Sequence, residues 1–536
     1  MIEEINFSKT GLPIATVCGI PIHSVYDPVK EAERFIQSKN LNQDSLIILL
    51  IAPGLCYLVP PLRKRIPGVR IIALHCSSFF KNHMDNVHGP DPLGIFKPDA
   101  QWSCSDDFSI QTFLENELDD AEARTTKIME WRPATKAYGA IALNLLDSVA
   151  QYLKRANANA VTSETFGKKW LKNAIRLIDS YKPKYRLIKQ VSKPIILVAS
   201  GPSLEDFIQL LDNPAIRKQY VLLAVSSAAD SLLARDIIPD LIVATDGGNW
   251  AKFHLFEAVR KKIPLAISLV GSLPSQYFDL PLFIISDGSH YQQTLIREIA
   301  SPLLIAPQRG TVAATAIDLA LSWTHEKIYI TGLDLGIRNG RSHARPNALD
   351  RFYQKSDNRI YPGLTGDYQR YLDNKRMASL DIYAKWFSEK SKIYGKQLVV
   401  LGLPNSALSE LDSIETLPVS QILDPTNGEQ LYSEVPHKFQ DGTSYTRKAC
   451  IANISSLLQL IQLECSVDTL DAKKVREGIC GELLPLIDTD LYRLLLIRGR
   501  WHQSAGQELV ISILDSVRKQ FSQSKNCVDD IEAING

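Results

Sequence analysis

Between Lys193 and Asp246 three short apolar runs, Ile195–Ala199, Tyr220–Val225 and Leu241–Ala244, alternate with two helical patterns. An unbroken apolar run of this kind marks a strand buried on both faces, and a helical return between such strands makes them parallel. The first run ends in Ser200-Gly201-Pro202-Ser203, a tight turn feeding a helix. A parallel α/β sheet presents backbone N–H groups to a phosphate in that way, so the stretch points to nucleotide chemistry. The glycine spacing is not the dinucleotide pattern.

The same alternation continues over about 191–405. Strands are expected at Ile195–Ala199, Val221–Val225, Leu241–Ala244, Leu265–Leu269, Leu282–Ile285, Lys327–Ile330 and Gln397–Leu401. Helices are expected in most gaps, notably Val312–Trp323 and Lys375–Tyr394. This predicts a central doubly wound, Rossmann-like, mostly parallel sheet. Between Gly332 and Asn374 the periodicity fails, and a long irregular segment inside such a domain reads as a lid or binding loop. A smaller N-terminal α/β domain is expected over 1–135, with strands Leu46–Ile51 and Arg70–Leu74 around a Gly54-Leu55-Cys56-Tyr57 turn and a helix over Leu58–Arg65. That turn is either a second ligand site or plain structure. Residues 136–190 form a helical connector, with amphipathic segments Tyr138–Ala156 and Ser163–Ser180. A linker over 406–445 and a C-terminal helical domain over 446–536 complete the chain.

Charge narrows the partners. With 60 basic and 59 acidic residues the net charge is +1, so no overall field favours nucleic acid or an anionic membrane. The longest apolar stretch, Leu46–Pro61, is broken by Pro53 and Gly54 and is too short to span a bilayer. The start, MIEEINFSKT, lacks the basic and apolar regions of a signal peptide. The eight cysteines are scattered without a CxxC pair, which favours reduced thiols over disulfides or a zinc site. A cytoplasmic protein with no integral membrane segment is expected.

Four turns at the carboxyl ends of the expected strands, and one helix start, carry candidate chemistry. Gly201 lets the backbone approach a ligand, Pro202 suits a helix entry, and Ser203 can cap the helix or meet a phosphate. Ser226-Ser227 follows the second strand. Asp246 follows the third and can grip a ribose, hold a metal, act as a base or cap the next helix. Arg309-Gly310-Thr311 precedes an Ala-rich helix, placing N–H groups and a guanidinium at a helix N-terminus. After the strand ending at Gly332 come Asp334 and, in a polar loop between Arg341 and Arg345, His343. Those arginines would lower the His343 pKa and compete for the same anion. HExxH, P-loop lysine and G-x-S-x-G motifs do not occur, so metallopeptidase, P-loop and α/β-hydrolase chemistry is disfavoured.

ASGPSLED (199–206), IPDLIVATD (238–246), RGTVAATAIDLAL (309–321) and ITGLDLGIRNGRSHA (330–344) resemble the MptE-like domain of the motility-associated factor (Maf) flagellin glycosyltransferases. HSVYDPVKEAERFI (23–36), PGLCYLVPPLRKRIPGVRIIALH (53–75) and EARTTKIMEWRP (122–133) extend the resemblance over about 1–405. Bacterial sialyltransferases that use CMP-sialic acid are more distantly similar, through the Gly-Pro-Ser-Leu turn, the strand Ile328–Asp334 and Leu403–Ser406. Ser200 stands where those enzymes have Asn, and the 345–374 loop has no counterpart of their catalytic histidine.

The resemblance implies a sialyltransferase-like fold and a transferase. It would move a nonulosonic acid, of pseudaminic or legionaminic type, from its CMP-activated donor to Ser or Thr of flagellin. His343, Asp334 and Asp246 are then the candidate catalytic residues. Gly201, Pro202, Ser203, Ser226, Ser227, Gly310 and Thr311 are the candidate nucleotide contacts. No cofactor is obligatory, and a divalent cation, Mg or Mn, is optional. The domain also resembles archaeal 6-hydroxymethyl-dihydropterin diphosphokinases, which implies ATP, Mg and grouped carboxylates such as Asp246 and Asp334. A flagellin-binding chaperone on a decayed transferase core is the non-enzymatic alternative.

Overall fold

The computed structural model describes residues 2–41, 47–85, 96–187, 191–211, 213, 219–299, 304–306, 310–336, 341–350, 358–360, 397–401, 415–417, 432–434, 442–466, 472–501 and 507–522. Packing divides the chain into two units, Met1–Gly167 with Leu460–Val517, and Lys168–Gln459 with Arg518–Gly536. Arg309, the helix expected at Lys375–Tyr394, Leu403–Ser406 and most of the 345–374 loop and the 406–445 linker lie outside the described residues. Among the described residues no helix is long and apolar enough to cross a membrane.

In the first unit, β1 (Glu3–Phe7), β2 (Pro13–Val17) and β3 (Ile20–Pro21) form an antiparallel sheet absent from the sequence reading. A parallel sheet joins β4 (Ile47–Ile51), β5 (Arg70–His75), β6 (Ala100–Ser103) and β7 (Lys127–Glu130) in the order β6-β5-β4-β7. The turn after β4 is left-handed at Ala52, Gly54 and Cys56. His23 fills it. The Leu55 N–H donates to His23 Nε2 at 3.0 Å, and a Cβ on Gly54 would overlap the imidazole. Tyr57 and Trp131 pack around the ring, and the Trp131 indole donates to the Ile22 carbonyl at 2.7 Å. An amide that a phosphate would use is therefore held by a side chain in this turn.

The tail is helical as expected, with helices at Gly442–Ser466, Ala472–Glu477, Ile479–Ile487, Thr489–Trp501 and Gln507–Ser522. It is not one separate domain, because Leu460–Val517 belongs to the first unit. Arg476 donates to the Glu117 carbonyl at 2.5 Å and lies 3.3 Å from Glu122, while the Tyr492 hydroxyl donates to Asp119. The connector is also simpler than expected. One helix runs from Ala140 to Ser180, since the stretch between the two amphipathic segments holds neither glycine nor proline.

The second unit holds a nine-stranded sheet in which every strand pairing is parallel. After the short β8 (Tyr185–Leu187) come β9 (Ile195–Val198), β10 (Val221–Val225), β11 (Leu241–Ala244), β12 (Leu265–Ser268), β13 (Leu282–Ser286) and β14 (Leu304–Ile305). They are followed by β15 (Ile328–Thr331), β16 (Leu398–Leu401), β17 (Glu415–Leu417) and β18 (Tyr432–Glu434). The order is β14-β13-β12-β11-β10-β9-β15-β16-β17, and β18 pairs separately with β8. All seven strands read from sequence are present, and β14 and β17 extend the sheet at its two edges. Strands β9 to β13 are buried along their whole length, as their apolar runs require.

Acid sensitivity follows from two buried imidazoles in the first unit. Burial drives His23 down to about 3 and His75 down to about 4. Unfolded histidines take up protons below pH ~6.5, so this stability is complete above that pH and is lost as pH falls towards the folded values. Each histidine costs ~2 kcal/mol of stability by pH 5. Chemical denaturation at pH 7 and pH 5 should show a smaller acid loss for His75→Gln than for the unsubstituted protein. Equal losses would contradict the assignment.

Candidate active site

The sheet changes its direction of growth at β9. From there the chain builds outward through β10 to β14, then returns to lay β15 on the other side of β9. In open α/β sheets ligands bind at the carboxyl ends of strands where the order reverses. Here that place lies between the Gly201 turn after β9 and the Gly332–Asp334 turn after β15.

The two turns lock together. The Gly201 N–H donates to the Gly332 carbonyl at 2.7 Å, and the Ser203 N–H donates to Asp334 Oδ2 at 2.8 Å. A Cβ on Gly201 would overlap the Asp334 carboxylate, so only glycine fits. Gly332 is left-handed, with φ of 71°, and lies against the Ala199 carbonyl. Asp334 is only 9% exposed. One of its oxygens is thus engaged at the entry of helix Leu204–Leu211, and the Ser203 N–H expected to meet a phosphate meets this carboxylate instead.

The His343 segment is pinned over the same turns. The Ala344 N–H donates to the Ser200 carbonyl at 2.8 Å. Glu205 accepts from Arg341 at 2.8 Å and from the Arg345 N–H at 2.9 Å. The Arg345 guanidinium pairs with Asp350 at 3.3 Å. Farther along, the Pro346 carbonyl accepts from the Ser231 hydroxyl at 2.9 Å. Both arginines flanking His343 are therefore matched by acids, rather than left to compete for a ligand anion. His343 itself is exposed, with Nδ1 2.8 Å from the Ser342 hydroxyl.

Ser226 and Ser227 open a short turn at the end of β10, beside β9, and that turn lies against residues Asn249–Leu255 after β11. Asp246 is exposed at the end of β11, and its Oδ1 accepts the Gly248 N–H at 2.6 Å. Gly310 and Thr311 begin helix Val312–Trp323, which packs on β9, β10 and β11. The Thr311 hydroxyl caps that helix by accepting the Ala314 N–H at 3.3 Å. Every candidate except His343 thus sits at the carboxyl end of a strand or at the start of the helix leading back to the switch point. Direct bonds unite the Gly201 turn, Asp334 and the His343 segment.

Residues 168–340 match the family model described as 6-hydroxymethylpterin diphosphokinase MptE-like. This region is MptE-like in sequence. It contains all the candidates except His343, which lies just beyond it. Over 281 residues the chain is 30% identical to an uncharacterized protein of Treponema pallidum (strain Nichols), a match covering 52% of this chain. That match spans 60% of the relative's own length. The chain also shares its fold with the MAf glycosyltransferase from Magnetospirillum magneticum AMB-1. The TM-score is 0.54 at 12% identity, covering 97% of this chain and 90% of that one.

The MptE-like region adds residues that sequence reasoning missed. His254, in the turn Asn249–Leu255, feels both His343 and Asp246. Burial lowers its pKa to about 4, the His343 charge acts in the same direction, and Asp246 opposes them. Its Nδ1 is buried without a partner, as are the Ser272 hydroxyl after β12 and the Thr331 hydroxyl at the end of β15. Buried polar atoms are ordinarily satisfied, so orphaned atoms along one rim mark a place for a ligand or water. A histidine eight residues after the Asp of an Asp-Gly-Gly turn gives no signal of its own. Among the described residues no group of three or more His, Cys, Asp or Glu is arranged to hold a metal ion.

Glu205→Ala removes two acceptor contacts of the His343 segment. Glu205 is partly exposed, so a loss of about 1–2 kcal/mol is expected. Faster trypsin cleavage after Arg341 should accompany it. Unchanged cleavage would show that Glu205 does not pin the segment.

Proposed function

We propose that the protein is a glycosyltransferase that moves a nonulosonic acid from a CMP-activated donor to Ser or Thr hydroxyls of flagellin. The observation that carries this reading is the 2.8 Å bond from the Ala344 N–H to the Ser200 carbonyl. It sets the His343 segment beside the Gly201 bend at the switch point. The fold shared with the MAf glycosyltransferase supports the transfer chemistry. The resemblance of the 199–206 and 330–344 motifs supports the same assignment.

In this reading the CMP group lies across the carboxyl rim. Gly201, Pro202 and Ser203 line the turn next to it. Ser226, Ser227 and Asp246 take the ribose or base, and Gly310 and Thr311 face the phosphate. The bond from the anomeric carbon to the CMP oxygen breaks while the acceptor hydroxyl oxygen bonds to that carbon. Negative charge grows on the leaving phosphate, and His343 meets it as a proton or hydrogen-bond donor. The acceptor hydroxyl must lose its proton. His254 is neutral at pH 7 and can take it, and a phosphate nearby raises its affinity for that proton. Asp334 holds the turns in register and tunes the nucleotide side.

A second reading has one specific support, the diphosphokinase name of the matched family model. It requires ATP, Mg and a pterin alcohol, with Asp246 and Asp334 near the metal.

The test is intact-mass measurement of purified flagellin after incubation with the protein and a CMP-activated nonulosonic acid. A mass gain of one sugar residue is expected, and His343→Ala should slow it about a hundredfold. AMP release from ATP with 6-hydroxymethylpterin, without any flagellin mass gain, would overturn the transferase reading in favour of the second.

A further inference from the structure

Helix Ala140–Ser180 runs against the Asp246 turn. Asn173 donates to the Gly247 carbonyl at 3.1 Å and to the Val270 carbonyl at 3.0 Å. The Trp170 ring lies where a Cβ on Gly247 would stand. Lys169 and Arg176 are four residues before and three after Asn173, on the face that these bonds turn towards the loop. Lys252 comes from the other side, in the turn Asn249–Leu255. No ion pair joins any of these three cations to an acid among the described residues. Of the nearby acids, Glu257 pairs with Arg260, Asp246 accepts the Gly248 N–H and keeps its negative charge, and Asp179 follows Arg176 by three residues on the helix.

Like charges gathered without an ion-pair partner oppose folding, and the field they set up attracts an anionic ligand. Burial, then Arg176, then Lys169, push the Lys252 pKa down, so the three share one electrostatic neighbourhood. Two further features distinguish this place from an ordinary solvated lysine patch. The Ser272 hydroxyl, on the loop that holds Asn173, is buried without a partner. Beside Lys252, Trp250 stacks on Phe253 at 5.5 Å, and Phe253 meets Phe256 edge-on at 5.6 Å. Trp250 and Phe256 are 53% and 48% exposed. The three rings recur at every third residue across the 3-10 turn and into the helix Phe256–Arg260 that follows it, which stands them in one column. Exposed aromatic rings next to cations suit a ligand with a flat or ring-shaped body and an anionic group.

We propose that Lys169, Arg176 and Lys252 form an oxyanion subsite beside the Asp246 turn. It binds the phosphate or carboxylate of a ligand whose ring body rests on the Trp250 column. The subsite stands on its own geometry. Only the source of the anion, donor phosphate or sugar-acid carboxylate, rests on the transferase reading.

Calorimetry and thermal melting of the full chain test it, with inorganic phosphate, CMP or N-acetylneuraminate compared with chloride at equal ionic strength. At least one anion should raise the melting temperature above the chloride control. Lys252→Gln should weaken its binding at least tenfold while melting no lower than the unsubstituted protein when no anion is added. The double variant Lys169→Gln/Arg176→Gln should show the same loss, and it covers the case in which Lys252→Gln folds poorly. Response to phosphate and CMP alone supports the subsite and assigns it to a phosphate. Response to N-acetylneuraminate alone supports it and assigns it to a sugar carboxylate. No response to any of the three, or binding unchanged in both variants, overturns the subsite. Failure of flagellin glycosylation with anion binding intact would count against the transferase reading and leave the subsite standing.

Discussion

The carboxylate of Asp334 holding the Ser203 N–H is the contact on which the rest of the candidate site depends. It crosses from the turn after β15 to the turn after β9, 131 residues apart in sequence. A sheet that grows in two directions from one strand leaves a gap where the two halves part. Here the gap is closed low by Gly201, Gly332 and Asp334, and the His343 segment lies over that closure. Glycine at 201 is a requirement of this packing, because the carboxylate and the Gly332 carbonyl occupy the space of a side chain.

Around this lock the polar chemistry is shared unevenly. The arginines near His343 are matched by Glu205 and Asp350, and they build the loop. By contrast, the cations beside the Asp246 turn make no ion pair among the described residues, and His254, Ser272 and Thr331 keep orphaned polar atoms. One part of the rim is thus satisfied internally. The adjoining part carries unspent charge and hydrogen-bonding capacity, which is what a rim that receives a ligand needs.

The seven main strands of the second unit were legible because a fully buried parallel strand writes itself as an apolar run. The edge strands β14 and β17 were not, since two or three residues are too few to carry a period. The candidate turns were readable as strand ends. What each group does there was not, because Ser203 with Asp334, and Glu205 with Arg341, are tertiary pairings that no local pattern encodes. The amphipathic stripes of the tail announced covered faces without saying what covers them, so the joining of Leu460–Val517 to the first unit appeared only in the structure. The β4 turn has the shape of a phosphate loop in sequence. Its filling by His23 depends on a residue brought in from the antiparallel sheet region.

The proposed transferase requires a cytidylate bound where the loops after β9, β10, β11 and β15 converge. Amide hydrogen exchange with and without CMP measures this most directly. Slowed exchange is expected in 200–205, 226–231, 246–255 and 341–349, with the 52–57 turn unaffected. Slowed exchange confined to 52–57, or none anywhere at saturating CMP, would contradict it.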